Sequence, residues 1–119
     1  MILTAADAGL AQLLASKVLL AKMWPAASHE VLVLVQVLRI SPTLADALTF
    51  GLLALMTPLG SSRPPGELVV AYKTAVVMAV ARRPDGELVV VPHTRAMEVA
   101  WLDVADVAVG GQSGVRMTG

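Results

Sequence analysis

A chain this short and this apolar cannot hide all of its hydrophobic side chains from water by folding alone. Of its 119 residues, 56% are hydrophobic and 15% are charged, against about 45–50% and about 25% in ordinary soluble domains. A small domain also has a large surface for its volume. The surplus therefore has to face lipid, a ligand cavity or other protein chains.

Lipid fits least well. A spanning helix needs roughly 18–20 apolar residues in a row, and the longest uncharged run, between Asp46 and Arg63, contains Pro58, Gly60, Ser61 and Ser62. What precedes Thr57 is about three helical turns, a buried or interfacial helix and not a span. Asp7 precedes the first cation, Lys17, so the basic flank of a secretory signal is missing and a soluble, unprocessed chain is expected.

Nine Lys and Arg balance nine Asp and Glu, which leaves no overall field to attract nucleic acid or an anionic membrane. No cysteine is present, which excludes disulfides and thiolate metal sites. The length suits one domain, expected over residues 1–109, with a Gly-rich tail over 110–119. A neutral and apolar surface also lacks the charge that keeps molecules apart. Homo-oligomerisation, or docking on a larger protein assembly, is the expected fate.

Thr4-Ala5-Ala6-Asp7 reads as a helix start, and a helix is predicted from Thr4 to Met23. Leu10, Leu13, Leu14 and Val18 form its apolar stripe, and Pro25 ends it by disfavouring helical geometry at Trp24. From His29 to Ile40 the text is rich in Val and shows no polar alternation before Gln36, which predicts a strand covered on both faces. Ser41-Pro42 then reads as a cap followed by proline at the first helical position. A helix is predicted from Thr43 to Met56, with Leu44, Leu48, Leu52 and Leu55 on one side and Ala45, Thr49 and Leu53 on another. A helix apolar nearly all round needs two neighbours. One protomer supplies one of them, so Ala45, Thr49 and Leu53 are assigned to a contact between chains.

Thr57 to Gly66 is the loop-rich stretch. Beyond it, Glu67 to Arg82 and Glu87 to Val91 read as two strands around Arg83-Pro84-Asp85-Gly86, a turn with proline early and a glycine placed for the left-handed region. A further strand is expected within Met97 to Val109, where Val99, Trp101, Asp103 and Ala105 alternate with Ala100, Leu102, Val104 and Asp106. The fold class that follows is α+β: two helices with an antiparallel sheet built around a C-terminal hairpin.

Residue types that carry chemistry are sparse. The histidines are His29 and His93, and a site of two histidines and Glu98 or Asp103 can be drawn. Neither histidine sits in a ligand spacing, so no metal and no cofactor are expected. Ser28, His93 and Asp106 lack the glycine-flanked serine of a nucleophile elbow. Asp103 and Asp106 fall on opposite faces of a regular strand and make no acid–base pair. Gly110, Gly111 and Gly114 lack the lysine and the following helix of a phosphate loop. No catalytic residue is assigned. Trp24 and Trp101 are the large aromatic anchors, either in the core or at a chain–chain contact, where aromatics concentrate, and both are taken forward as candidate interface residues.

The opening Met1-Ile2-Leu3-Thr4-Ala5-Ala6-Asp7-Ala8-Gly9, the segment Ser41-Pro42-Thr43-Leu44-Ala45-Asp46-Ala47-Leu48-Thr49-Phe50 and the Asp85-Gly86 hairpin together resemble small virion structural proteins of tailed bacteriophages. The matching text covers roughly the first fifty residues. The resemblance implies a structural role, decorating a capsid or completing a head or tail, and it carries over no functional residue. A non-enzymatic assembly protein is thus the leading expectation. The alternative is a small oligomeric enzyme or binding protein with a pocket for a hydrophobic small molecule, its polar handle drawn from Tyr72, His93, Arg95 and Asp103 or from Gln36, Arg39 and Asp46.

Overall fold

A computed structural model describes residues 1–5, 7–56, 66–90, 92, 94–110 and 112–113. Its elements are β1 (Ile2–Ala5), α1 (Ala8–Ala15), α2 (Lys17–Met23), α3 (Ser28–Ile40), α4 (Leu44–Thr49), β2 (Ala54–Met56), β3 (Glu67–Tyr72), β4 (Ala75–Arg82), a 3-10 turn (Ala96–Glu98), β5 (Trp101–Val109) and β6 (Gln112–Ser113). The class is α+β, as expected. The strands lie in the order β1-β5-β4-β3-β2, with β6 also on β5. β1 runs parallel to β5 and every other pairing is antiparallel.

The first predicted helix is two helices preceded by a strand. Thr4 belongs to β1, and the Asp7 carboxylate is the true cap, accepting from the Leu10 amide at 3.0 Å. Ser16 interrupts the helix with an extended backbone and caps the next one through its hydroxyl, which accepts from the Leu19 amide at 3.2 Å. This hydroxyl offers the backbone an alternative to the helical ladder. The break turns the stripe: Leu10, Leu13, Leu14 and Leu20 are buried, while Val18 is 65% exposed.

Residues 28–40 form a helix, not the predicted doubly covered strand. Val31, Leu34, Val35 and Leu38 are its buried positions, the i, i+3, i+4, i+7 spacing of one helical face. His29, Gln36 and Arg39 fall on the exposed side. The abundance of valine argued for a strand, but propensity is weak against a burial period that tertiary packing can use. The α-amine of Met1 donates to the carbonyls of Leu38 at 3.2 Å and Arg39 at 3.0 Å, satisfying acceptors left over at the end of this helix.

Ser41 ends α3 instead of capping α4, its hydroxyl donating to the Val37 carbonyl at 2.6 Å. The cap of α4 is Thr43, whose hydroxyl accepts from the Asp46 amide at 3.3 Å and donates to the Asp46 carboxylate at 2.9 Å. α4 stops at Thr49 and not at Met56, because Gly51 takes φ +73° and turns the chain, the left-handed conformation that ends helices. Leu53 then leads into β2.

The segment Glu67 to Arg82, predicted as one strand, is a hairpin with Lys73 and Thr74 at its turn, Tyr72 opposite Ala75. The turn at Arg83–Gly86 is where it was expected: the Gly86 amide donates to the Arg83 carbonyl at 2.9 Å and Gly86 has φ +94°. Its returning arm pairs through a single bridge, Arg82 with Leu88. Ala81 donates to the Gly66 carbonyl at 2.8 Å on the same side, so the approach to β3 already occupies that edge. The antiparallel neighbour reached after the turn is β5, on β4's other edge.

Leu68, Val70, Ala75, Val77, Ala79, Ala81, Leu102, Val104 and Val107 line one sheet face and join α1 to α4 in a continuous core. The helices therefore cover that face alone. Gln112 and Ser113, assigned to the tail, pair with β5; residues 114–119 lie outside the described residues.

Candidate functional site

The opposite sheet face can be read row by row from the strand register. Ile2, Trp101 and Arg82 form its first row, and Thr4, Asp103, Val80 and Glu67 its second. Asp106, Met78, Val69 and Met56 form the third, and Ala108, Val76, Ala71 and Ala54 the fourth. Every one of these side chains is partly or fully exposed.

A sheet with one wet face ordinarily alternates apolar and polar residues along each strand. β4 does not: its inward positions are Ala75, Val77, Ala79 and Ala81, and its outward ones are Val76, Met78 and Val80 before Arg82 is reached. A central strand apolar on both sides signals cover on both sides. Residues 29–40 carry the same apolar signal but form a helix, and the segment that obeys the rule is β4.

Carboxylates rim this apolar field. Asp103 and Asp106 stand on the same face, contrary to the expectation from simple alternation, because the register shifts between Met78 and Ala79 and leaves Ala105 as an extra residue in β5. Such a bulge flips the side-chain phase beyond it. Asp103 is opposite Val80 and Asp106 opposite Met78, about 7 Å apart along the strand. The Asp106 carboxylate accepts from the Val107 amide at 2.8 Å within the bulge. Asp103 accepts from the Thr4 hydroxyl at 3.0 Å, which in turn accepts from the Trp101 indole N–H at 2.9 Å. This chain of bonds ties β1 to β5 and holds the Trp101 ring at the edge of the face, beside Gly86.

The residues assigned to interfaces divide. Thr49 is exposed and Ala45 and Trp101 are partly so. Leu53 and Trp24 are 8% and 3% exposed, and this burial within their own chain leaves no surface for a neighbour. Leu53 is buried because the chain leaves the helical path at Gly51, which sequence periodicity alone did not reveal.

The polar handles of the pocket reading do not converge. Tyr72 lies at the Lys73–Thr74 end of β3, its ring 5.4 Å from the Lys73 ammonium. Asp103 is six residues from the Val109 end of β5 that meets that turn, about 20 Å along the strand. Arg95 pairs with Glu98 at 3.2 Å, and Glu98 also takes Arg83 at 2.7 Å. Gln36 and Arg39 line an open groove on α3, and Asp46 belongs to the α4 cap. His29 is exposed in the first turn of α3, and His93 lies outside the described residues. Among the described residues no group of three His, Cys, Asp or Glu side chains stands close enough to hold a metal ion, and no helix is long and apolar enough to cross a membrane.

No family model, curated protein or solved structure matches the chain.

Proposed function

We propose that the chain is a structural subunit without catalytic activity of its own, which assembles with further copies through the outer face of its sheet. The observation that supports this reading is the outward side of β4, where Val76, Met78 and Val80 occupy positions that a wet strand gives to polar residues. With Val69, Ala71, Ala108 and Met56 they form the apolar part of a face four strands wide and four rows long, roughly 500 Å² in extent. About two thirds of its side chains are apolar, and burying that share is worth about 8 kcal/mol, within the range of the cost of immobilising one protein on another. The resemblance of the N-terminal part to small virion proteins of tailed bacteriophages gives the assembly a specific form, a subunit that decorates a capsid or completes a head or tail.

Light scattering across a concentration series tests the proposal. The wild-type mass rises above the 12.4 kDa of one chain, and Met78→Glu stays at the protomer mass with an unchanged far-UV spectrum. A wild-type chain that remains a monomer at every concentration contradicts it.

A further inference from the structure

We infer that Asp85 is a site of spontaneous backbone modification, where the chain closes a succinimide ring and reopens as isoaspartate. The chemistry needs a side-chain carboxyl or amide next to a backbone nitrogen that nothing shields. The chain contains no asparagine, so aspartate alone can form this ring. Asp7, Asp46, Asp103 and Asp106 are followed by Ala8, Ala47, Val104 and Val107, whose Cβ atoms crowd the nitrogen that would attack. Asp46, Asp103 and Asp106 also lie inside a helix or a strand. Asp85 is the one aspartate followed by glycine, and Gly86 has no Cβ.

The turn brings the two reacting groups together. The Asp85 carboxylate accepts from the Glu87 amide at 3.0 Å, so the side chain folds forward over the peptide that joins Asp85 to Gly86. Its Cγ then stands beside the Gly86 nitrogen. Asp85 is exposed, and water reaches the site. One bond opposes the reaction, since the Gly86 N–H donates to the Arg83 carbonyl at 2.9 Å. Attack therefore comes from moments when the turn has opened, which a solvent-facing hairpin end does at a low cost in free energy.

In the step itself the Gly86 nitrogen bonds to Asp85 Cγ, and its proton leaves with the hydroxyl of the protonated carboxyl as water. Water then opens the ring at either carbonyl. Opening at Cγ restores aspartate. Opening at the backbone carbonyl leaves the chain running through Cβ and Cγ, with a free α-carboxylate and one more carbon in the backbone. The turn is too closely tied to absorb that carbon. The Arg83 amide donates to the Glu87 carbonyl at 2.8 Å, the Arg82 guanidinium donates to the Gly86 carbonyl at 2.8 Å, and the Trp101 ring lies against Gly86. Modification therefore unseats Arg82 and Trp101, neighbours in the first row of the outer sheet face.

The test is incubation of the full chain in warm neutral buffer made with heavy-oxygen water, read by peptide mass spectrometry. Each passage through the ring installs a heavy oxygen. Label accumulates with time at Asp85 and is absent from Asp7, Asp46, Asp103 and Asp106. The labelled peptide separates into two isomers, one of which accepts a methyl group from S-adenosylmethionine under an isoaspartate-specific carboxyl methyltransferase. In the isoaspartate form the Trp101 indole N–H resonance shifts while that of Trp24 stays. Asp85→Ser, which keeps a hydroxyl for the Glu87 amide, abolishes label and methyl acceptance with an unchanged far-UV spectrum; Asp85→Glu replaces it if that variant fails to fold. No label at Asp85, label spread over several aspartates, or methyl acceptance that survives the substitution overturns the inference. The label is read residue by residue, so failure of the assembly reading leaves this test untouched.

Discussion

Leu53 shows how one side chain decides between two accounts of the same residue. On a continuous helix from Thr43 to Met56 it would face a neighbouring chain, whereas the turn at Gly51 drives it into the protomer core, where it is 8% exposed. Leu53→Asp would place an unpaired carboxylate among apolar side chains, at a cost of several kcal/mol. The expected outcome is an unfolded protein by circular dichroism; a folded monomer would return Leu53 to an interface. Trp24 is buried in the same way, and its indole N–H has no hydrogen-bond partner among the described residues. Trp101 differs because Thr4 and Asp103 hold its N–H at the margin of the sheet face. That leaves its ring available to a partner while fixing its orientation, the economical arrangement for an aromatic anchor.

At the scale of elements, α3 is pinned to the β3–β4 turn by one carboxylate. Both the amide and the hydroxyl of Thr74 donate to Glu30, and the hydroxyl bond first of all holds the Glu30 carboxyl below its ordinary value. A lowered acid contributes stability that is complete above its unfolded value and is lost as pH falls through its folded one. Glu30→Gln is therefore expected to destabilise the protein at neutral pH and to make no difference once the pH lies below the folded value. The Thr74 amide proton, followed by NMR, titrates with a midpoint below the ordinary glutamate range, and a midpoint at or above that range would refute the link. The class of the fold, the turn at Arg83–Gly86 and the alternation at the start of β5 were legible in the sequence because each rests on local chemistry. The helical state of residues 28–40 was written there as well, in the spacing of Val31, Leu34, Val35 and Leu38, but the density of valine masked it. Two features had no local signature: the hairpin at Lys73–Thr74, which lacks turn glycines, and the bulge at Ala105, which depends on pairing with β4. The candidate face could not be read without them, since the hairpin puts Val69 beside Met78 and the bulge brings Asp106 beside it too.

The whole molecule is a sheet with helices on one side and an apolar face on the other, and this accounts for the composition that sets the chain apart. Its core takes up many of the aliphatic side chains. Others stay exposed, among them Ile2 and Met56 on the outer sheet face and Val18 and Leu19 on α2. Methionine oxidation tests the central claim most directly, since the chain carries probes on and off the face. Met56 lies on it and is 50% exposed in the protomer, whereas Met97 is 80% exposed within the 3-10 turn, which packs on α4. Treated with dilute peroxide and followed by peptide mass spectrometry, Met56 and Met78 should react slowly in concentrated protein and speed up on dilution, while Met97 reacts at one rate throughout. Rates at Met56 and Met78 that do not change with protein concentration would contradict an assembly built on this face.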